Sequence, residues 1–392
     1  MIAYALISFV NKGDFVGYVD SANLLLDGKN IYETIYNTWP PVFSILSVPL
    51  AIINNFNYYL VRFLWMVFLF YCLIYSLKTT VEFIDKKTIS YKSLFIEYSL
   101  KPWYVIALFL VCRSMMDNIM YMQINVPMLA VCLYTLKKQN DLKSGDIMGI
   151  SIAAKVYNVF FIPLFILLRQ WKSLTGIFLG LLLMFTLSIV VYGFENSIQL
   201  HQFWYENIAS AKHEFVHRNQ SLMASFHRLF NVENTIVNNQ NPIIALKESL
   251  INYLFYLFLL MLASLYLFNF YKKILNPDER FIKLSIILVI TAIPLLTPVA
   301  WKANYIYALP AIFYLIHSYI GFKIQPYKLI LFGLSMFCLS FSAEVIVSRN
   351  AMYWLEKQNV LPIGQLILYG LLLVEMKLDN SKNHTSTNSY QK

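Results

Sequence analysis

Apolar runs of roughly 17 to 22 residues recur along the whole chain, and each is about long enough for a helix to cross a bilayer. Inside the hydrocarbon, backbone N–H and C=O groups must be paired within the protein, which a helix achieves by itself. Only 13% of the residues are charged, whereas a soluble domain has about 25%. The sequence therefore predicts an all-α, polytopic integral membrane protein with about 10 to 12 transmembrane or re-entrant helices.

The charge pattern predicts which loops share a side of the membrane. The chain has 31 Lys and Arg against 21 Asp and Glu, a net charge of +10. The basic residues cluster in particular loops, such as residues 78–101, as the positive-inside rule requires of cytoplasmic segments. This clustering accounts for the charge, so no nucleic-acid partner is predicted. Residues 11–41 and 194–250 fall together on the non-cytoplasmic side.

No segment can fold as a separate soluble module, so residues 1–376 are predicted to form one transmembrane domain. Residues 377–392 are predicted to be a polar, disordered cytoplasmic tail. Residues 1–10 are too short to span a bilayer, which favours a start further upstream over a shallow first helix. Four cysteines lie in or at the ends of apolar runs without metal-ligand spacing, and small buried residues are predicted at Cys72, Cys112, Cys132 and Cys338.

Two stretches are predicted to enter the membrane and return on the same side. Residues 147–168 have basic residues at both flanks but are too short for two spans, so we expect a thin helical hairpin broken near Lys155. Two short apolar pieces at 102–112 and 124–136 predict a second hairpin. Its tip would carry the polar side chains Arg113, Asp117, Gln123 and Asn125.

The first polar segment, residues 11–41, is typical of a short amphipathic helix lying on the outer membrane surface. Its apolar residues form one stripe, its acids Asp20 and Asp27 face the other way, and Gly28 ends the helix. Asp14 belongs to neither face and lies at the first turn. Two readings stay open: an N-cap, or a carboxylate at the membrane–water boundary that acts as a general base.

A family resemblance begins in this same segment. The residues that carry it are Asp14-Phe15, Tyr18, Ala22, Gly28, Ile31-Tyr32 and Pro40-Pro41. Together they resemble the opening signature of glycosyltransferase family 87, polytopic enzymes of the GT-C type that take a sugar from a polyprenyl-phosphate donor. The resemblance implies a GT-C-like fold and makes Asp14 the catalytic base.

Three later stretches resemble further elements of the family. GISIAAKVYNVFFIP resembles its Gly-rich helix ending in Lys, although the proline lies further downstream, and Gln123-x-Asn125 matches a second pattern. RNQSLMASFHRLF, residues 218–230, resembles an NQS…R element, and LLTPVAWKANYIYALP resembles a late Pro…Trp motif. Many members have histidine in that last turn, where Ala303 and Asn304 stand here. A snorkelling Lys155, a solvated basic loop and an interfacial Trp301 are the alternatives.

The resemblance implies a role for each matched residue. Donor-phosphate binding is predicted for Lys155, Arg218, Arg228 and Lys302. Substrate binding is predicted for Tyr18, Tyr32, Gln123, Asn125, Asn219, Gln220, Ser221, Trp301 and Asn304. The expected reaction transfers a hexose, mannose by analogy, to a lipid or glycan acceptor with inversion. The enzyme is expected in the plasma membrane among its lipids, with the active site on the non-cytoplasmic side.

Because phosphate already activates the sugar and the external loops have no DxD-type acidic cluster, neither a metal nor another cofactor is expected. Two other classes of function remain open. A transporter or lipid flippase would also use broken helices and an intramembrane lysine. A zinc peptidase would use the HExxH string at residues 213–217, whose two histidines would share a helix face.

Overall fold

The computed structural model describes residues 13–34, 37–206, 217–231, 243–320 and 324–387, with side chains as far as Lys377. Throughout these ranges the regular structure is helical and includes no strand, which confirms the all-α prediction. The Cα positions group into two compact units. The first comprises residues 1–87 and 115–213, and the second comprises residues 88–114 and 214–392.

The α-helices follow the predicted apolar runs closely. The first nine are α1 Gly13–Leu26, α2 Pro41–Phe56, α3 Tyr58–Asp85, α4 Tyr91–Ile96, α5 Pro102–Met120, α6 Asn125–Lys137, α7 Leu142–Ala154, α8 Phe161–Leu167 and α9 Trp171–Tyr192. The others are α10 Phe194–Trp204, α11 Leu222–Phe230, α12 Glu248–Leu275, α13 Glu279–Leu296, α14 Leu309–Ile320, α15 Pro326–Met336, α16 Glu344–Val347, α17 Arg349–Lys357 and α18 Val360–Thr387. Short 3-10 helices form at Tyr98–Leu100, Val156–Phe160 and Lys302–Ala308, and a π-helix forms at Phe337–Phe341.

Among the described residues, 5 helices are long and apolar enough to cross a membrane: α3, α5, α9, α12 and α18 from Val360 to Lys377. Their outer faces carry large apolar side chains, such as Phe178 on α9 and Phe268 on α12, which are 64% and 81% exposed. An apolar surface of this extent is stable only against lipid or another apolar partner. The protein is therefore a multi-span membrane protein.

Two glycines fix the ends of α1. Gly13 has a positive φ of 38°, and a Cβ there would collide with the backbone of Tyr121. This close approach lets the Asp14 N–H donate to the Tyr121 carbonyl at 3.2 Å. At the other end Gly28 has φ 67°, and the N–H groups of Gly28 and Lys29 donate to the carbonyls of Leu25 and Leu24. This is the Schellman arrangement, which confirms the predicted helix end.

Helices α7 and α9 cross unusually closely in the first unit. Gly145 and Gly149 on α7 face Gly176 and Gly180 on α9, and a Cβ at any of the four would collide with backbone atoms of the opposite helix. Small residues four apart let two membrane helices pack backbone to backbone. This contact fixes α7 up to its last residue, Ala154. The chain then becomes extended at Lys155, so the predicted break in residues 147–168 is confirmed.

The second unit is organised around α13, whose residues from Phe281 to Leu295 are nearly all buried. Helix α13 packs against α18, α11, α14 and the 3-10 helix Lys302–Ala308. A helix that is apolar on all sides is typical of the centre of a membrane protein. Its C-terminal end therefore positions the turn from Pro298 to Asn304.

The structure differs from the sequence prediction at two helices. Residues 102–120 form one continuous helix, so the predicted end of the first hairpin arm at residue 112 is wrong. Arg113 lies within this helix rather than at a hairpin tip. Its guanidinium donates to Ser342 Oγ at 2.6 Å, so its charge has a hydrogen-bond partner in the second unit. Helix α3 likewise continues into residues 78–101, the segment predicted to be cytoplasmic, and ends at Asp85. Within this extension Lys78 forms an ion pair with Glu82 one turn later.

Candidate active site

An unbroken chain of polar side chains joins Asp14 to Lys155 in the first unit. The Gln123 side chain hydrogen-bonds the Asp14 carboxylate. Gln123 Oε1 then accepts from Asn125 Nδ2 at 3.2 Å, and Asn125 Oδ1 accepts from the Lys155 ammonium at 2.8 Å. Gln123, Asn125 and Lys155 are 5%, 0% and 9% exposed, whereas Asp14 is half-buried. One acid that solvent reaches is thereby connected to one buried cation.

The environment of Asp14 suits a proton acceptor. Burial raises the pKa of its carboxyl above the ordinary value, while the positive charge of Lys155 and the hydrogen bond from Gln123 lower it. Desolvation disfavours the charged form, and a nearby cation or donor favours it. The net result is a carboxylate more basic than one in water, which is the property of a general base.

Tyr18 and Tyr32 hold the surrounding loops in place. The Tyr18 hydroxyl accepts from the Ile124 N–H at 3.1 Å, and its ring packs edge-on against Trp39 and Phe43. Tyr18 is fully buried. The half-buried Tyr32 donates to the Trp39 carbonyl at 3.0 Å. Tyr18 therefore positions the segment that carries Gln123 and Asn125, while the aromatic ring of Tyr32 remains partly exposed.

The NQS string of the second unit is joined to the turn after α13. Asn219 Oδ1 accepts from the Ser221 and Ala300 N–H groups, both at 3.1 Å. Ser221 Oγ donates to the Pro298 carbonyl at 2.8 Å and also accepts from the Ala224 N–H, as the N-cap of α11. Asn219 and Ser221 are buried. These two predicted site residues thus hold the loop and the turn together.

Arg228 on α11 is also engaged with the protein. Its Nε and Nη2 donate to Asn359 Oδ1 at 2.8 and 2.5 Å, and its Nη1 donates to the Asn219 carbonyl at 2.6 Å. Burial lowers the pKa of the guanidinium to about 10, opposed by Tyr305 and Glu356. The group remains charged at neutral pH, but its donors point into the protein.

Lys302 and its neighbours form the accessible part of the turn. The Lys302 ammonium forms an ion pair with Glu356, whose side chain is 1% exposed. Trp301 is 44% exposed, and Arg218 is exposed as well. Asn304 is buried, and its Oδ1 accepts from the Trp301 N–H at 3.3 Å. Of the four predicted phosphate ligands, Arg218 and Lys302 are therefore the ones that solvent reaches most easily.

Two residues with central roles were not predicted from the sequence. Glu356 pairs with Lys302, and its backbone carbonyl accepts from Gln220 Nε2 at 2.8 Å. Asn359, three residues later, holds Arg228. Glu356 lies near the end of α17, a short amphipathic helix, and Asn359 lies two residues beyond that end. The available signal was an acid on an otherwise basic segment, RNAMYWLEK.

The HExxH string falls on residues 213–217, of which the structure describes only His217. The zinc-peptidase alternative therefore lies outside the described residues. Within them, no group of three or more His, Cys, Asp or Glu side chains is arranged to hold a metal ion. The four cysteines are free and are either buried or half-buried.

The helical fold and the apolar spans define a polytopic membrane protein, with a partly exposed carboxylate in one unit and a basic, hydrogen-bonded turn in the other. The model of glycosyltransferase family 87 matches residues 37–319. This is well over half of the chain, so the protein belongs to glycosyltransferase family 87 and is a membrane glycosyltransferase. The match includes Gln123, Asn125, Lys155 and the turn at Trp301, and begins after Asp14. Comparison with curated proteins and with solved structures gave no match.

Proposed function

We propose that the protein transfers a hexose, mannose by family analogy, from a polyprenyl-phosphate donor to a lipid or glycan acceptor. The supporting observation is the chain from Asp14 through Gln123 and Asn125 to Lys155. It provides one basic carboxylate for the acceptor hydroxyl and one fixed cation for the leaving phosphate, the two groups that suit an inverting transfer from a phosphate-activated sugar. The reaction would take place on the non-cytoplasmic face of the plasma membrane.

In the proposed step, Asp14 accepts the proton of the acceptor hydroxyl as the hydroxyl oxygen attacks the anomeric carbon. A new C–O bond forms from the opposite face while the bond from that carbon to the phosphate oxygen breaks. Polyprenyl phosphate leaves with the electron pair, and the sugar inverts. Because the phosphate is already a good leaving group, the step needs no metal ion or other cofactor.

Positive charge must offset the charge that develops on the leaving phosphate. Lys155 donates one hydrogen bond to Asn125. An ammonium has three N–H donors, so two N–H groups would be left for phosphate oxygens. In the second unit, Arg218 and Lys302 are proposed to bind phosphate by family resemblance, and solvent reaches both. Arg228 is proposed as a fixed positive charge that also orders the NQS loop. Substrate binding is proposed for Tyr32 in the first unit, and for Trp301 and the amides of the NQS loop in the second.

The test is transfer of labelled hexose from polyprenyl-phosphate hexose to membrane lipids by wild type and Asp14→Asn. Asparagine is nearly isosteric and caps a helix well, so the N-cap reading predicts little loss. The base reading predicts a fall of about a hundredfold or more. Asp20→Asn and Asp27→Asn are the controls, since they change acids elsewhere on the same helix. Near-normal transfer in Asp14→Asn, or a larger loss in either control, would contradict the assignment.

The same assay separates the transferase from a transporter or flippase. Purified, intact wild-type protein that binds the donor but transfers its sugar to no acceptor would count against the proposed reaction. Transfer by wild type, with donor binding retained in Asp14→Asn, would support it.

A further inference from the structure

Three buried side chains around the Trp301 turn each have a polar atom without a hydrogen-bond partner among the described residues. They are Glu356 Oε2, Gln220 Oε1 and Asn304 Nδ2. The three residues are 1%, 0% and 1% exposed. A buried polar atom without a partner lowers stability, and most such atoms in native proteins have one. Three in one part of the second unit therefore require an explanation.

Direct contacts place these residues on adjoining segments. Gln220 Nε2 donates to the Glu356 carbonyl at 2.8 Å, so the Gln220 amide lies against the end of α17. The Lys302 ammonium pairs with Glu356 Oε1. Asn304 lies two residues beyond Lys302 in the same short 3-10 helix. The unpartnered atoms thus belong to the loop, the turn and the helix that meet at Glu356.

The chemistry of these atoms indicates what kind of ligand would satisfy them. Glu356 Oε2 and Gln220 Oε1 are acceptors, whereas Asn304 Nδ2 is a donor. A hydroxyl group both donates and accepts, so a ligand with several hydroxyls matches a mixed set of this kind. A phosphate offers mainly acceptors, so it would not satisfy the acceptor atoms Glu356 Oε2 and Gln220 Oε1. An acyl chain offers neither donors nor acceptors.

We propose that Glu356, with Gln220 and Asn304, forms a subsite for the hydroxyl groups of a hexose. The carboxylate accepts from one sugar hydroxyl through Oε2, while Lys302 holds its other oxygen. The Lys302 side chain is 29% exposed, so solvent reaches the Lys302–Glu356 ion pair from the side of the lysine. Trp301, beside it, exposes an aromatic surface. The inference rests on the proposed function only in taking a hexose as the ligand.

The test measures binding of a methyl hexoside and its monodeoxy analogues to the purified full chain by saturation-transfer NMR. Wild type should bind one monodeoxy analogue roughly tenfold or more weakly than the parent, the usual effect of losing a hydrogen bond to a charged group. Glu356→Gln should bind the parent as weakly as wild type binds that analogue. It should also no longer distinguish the two. The deoxy series on wild type needs no variant to fold.

Two further variants show whether Glu356 binds sugar or only holds Lys302. If Glu356 binds the sugar, Lys302→Met should still bind the parent hexoside more tightly than the deoxy analogue. If Glu356 only holds Lys302, Lys302→Met should lose this preference, as Glu356→Gln does. Glu344→Gln, at an exposed glutamate on α16, should match wild type. No hexoside signal, no discrimination by wild type, or unchanged discrimination in Glu356→Gln would each overturn the proposal.

The hydroxyls could belong to the donor hexose or to a glycan acceptor, and competition identifies the source. Polyprenyl-phosphate hexose, but not polyprenyl phosphate, should displace the hexoside if the donor sugar occupies the subsite. A glycan acceptor should displace it otherwise. If wild type transfers no sugar from polyprenyl-phosphate hexose but still distinguishes the parent hexoside from its deoxy analogue, only the proposed donor is refuted. If it transfers the sugar but does not distinguish the two hexosides, only the subsite is refuted.

Discussion

Asp14 differs from the other acids of α1 in what surrounds its carboxylate. Asp27 is exposed and forms an ion pair with Lys29, whereas Asp14 is half-buried and interacts with Gln123 and Lys155. Gln123 and Lys155 both favour the charged form, against the burial that raises the pKa. Burial therefore raises the basicity of Asp14, and two residues far away in the sequence moderate it.

This balance predicts a pH effect for Gln123→Leu. The substitution removes a donor that lowers the pKa of Asp14, so that pKa rises further. The base is active when ionised, and activity falls as pH decreases through its pKa. The acidic limb of the profile of kcat/KM against pH should therefore move to higher pH. The matched control is Gln202→Leu, at an exposed glutamine of the first unit. An unmoved limb in Gln123→Leu would mean that Gln123 does not act through Asp14.

Lys155 is predicted to hold the donor phosphate from a position fixed by Asn125. Lys155→Met should weaken binding of polyprenyl-phosphate hexose by roughly tenfold or more, and Lys155→Arg should retain part of it because the charge survives. Asn125→Leu should resemble Lys155→Met, since it removes the 2.8 Å contact. The double variant should lose less than the sum of the two. Strict additivity of the free-energy losses, or unchanged affinity in Lys155→Met, would indicate a snorkelling lysine.

At the scale of elements, the crossing of α7 and α9 determines where Lys155 lies. Helix α7 ends at Ala154, immediately before the lysine, and its glycines lie against the backbone of α9. A displacement of α7 would move Lys155 relative to Asn125, which is on α6. The stability of the crossing and the geometry of the site are therefore linked.

Gly149→Ala tests this link. The new methyl group would collide with the Ile177 carbonyl, and overpacking of this kind costs about 1–3 kcal/mol. We expect a lower thermal midpoint and weaker donor binding. Gly370→Ala on α18 is the matched control, because nothing lies within 4 Å of a Cβ there. It should be neutral or stabilising by up to about 1 kcal/mol. Equal effects at the two positions would show that the crossing is not tight.

At the scale of the whole molecule, the clustering of lysines predicts which residues face each side of the membrane. Asp14, Arg218 and Trp301 are expected outside, and Lys87, Lys138 and Lys273 inside. The measurement is labelling of single cysteines at these positions by an impermeant thiol reagent, in a variant without the four native cysteines. Equal labelling of Asp14→Cys and Lys138→Cys from outside would contradict this topology.

Much of the helical architecture could be predicted because it depends on local pattern. Apolar runs of bilayer length predicted α3, α9 and α12, and the break at Lys155 followed from a segment too short for two spans. Helix α5 could not be predicted as one element. Its polar residues resembled a hairpin tip, and only the distant partner Ser342 shows why Arg113 lies within a helix.

The sequence by itself determined the helical membrane class and the family, and it indicated Asp14 and Lys155 as candidate site residues, because hydrophobicity and short motifs are properties of neighbouring residues. The tertiary structure decided what those residues contact. It joined Asp14 to Lys155 through two amides, enclosed the Arg228 donors, and brought Glu356 to Lys302. Hydrogen bonds and burial depend on which distant segments meet, and local pattern carries little information about that.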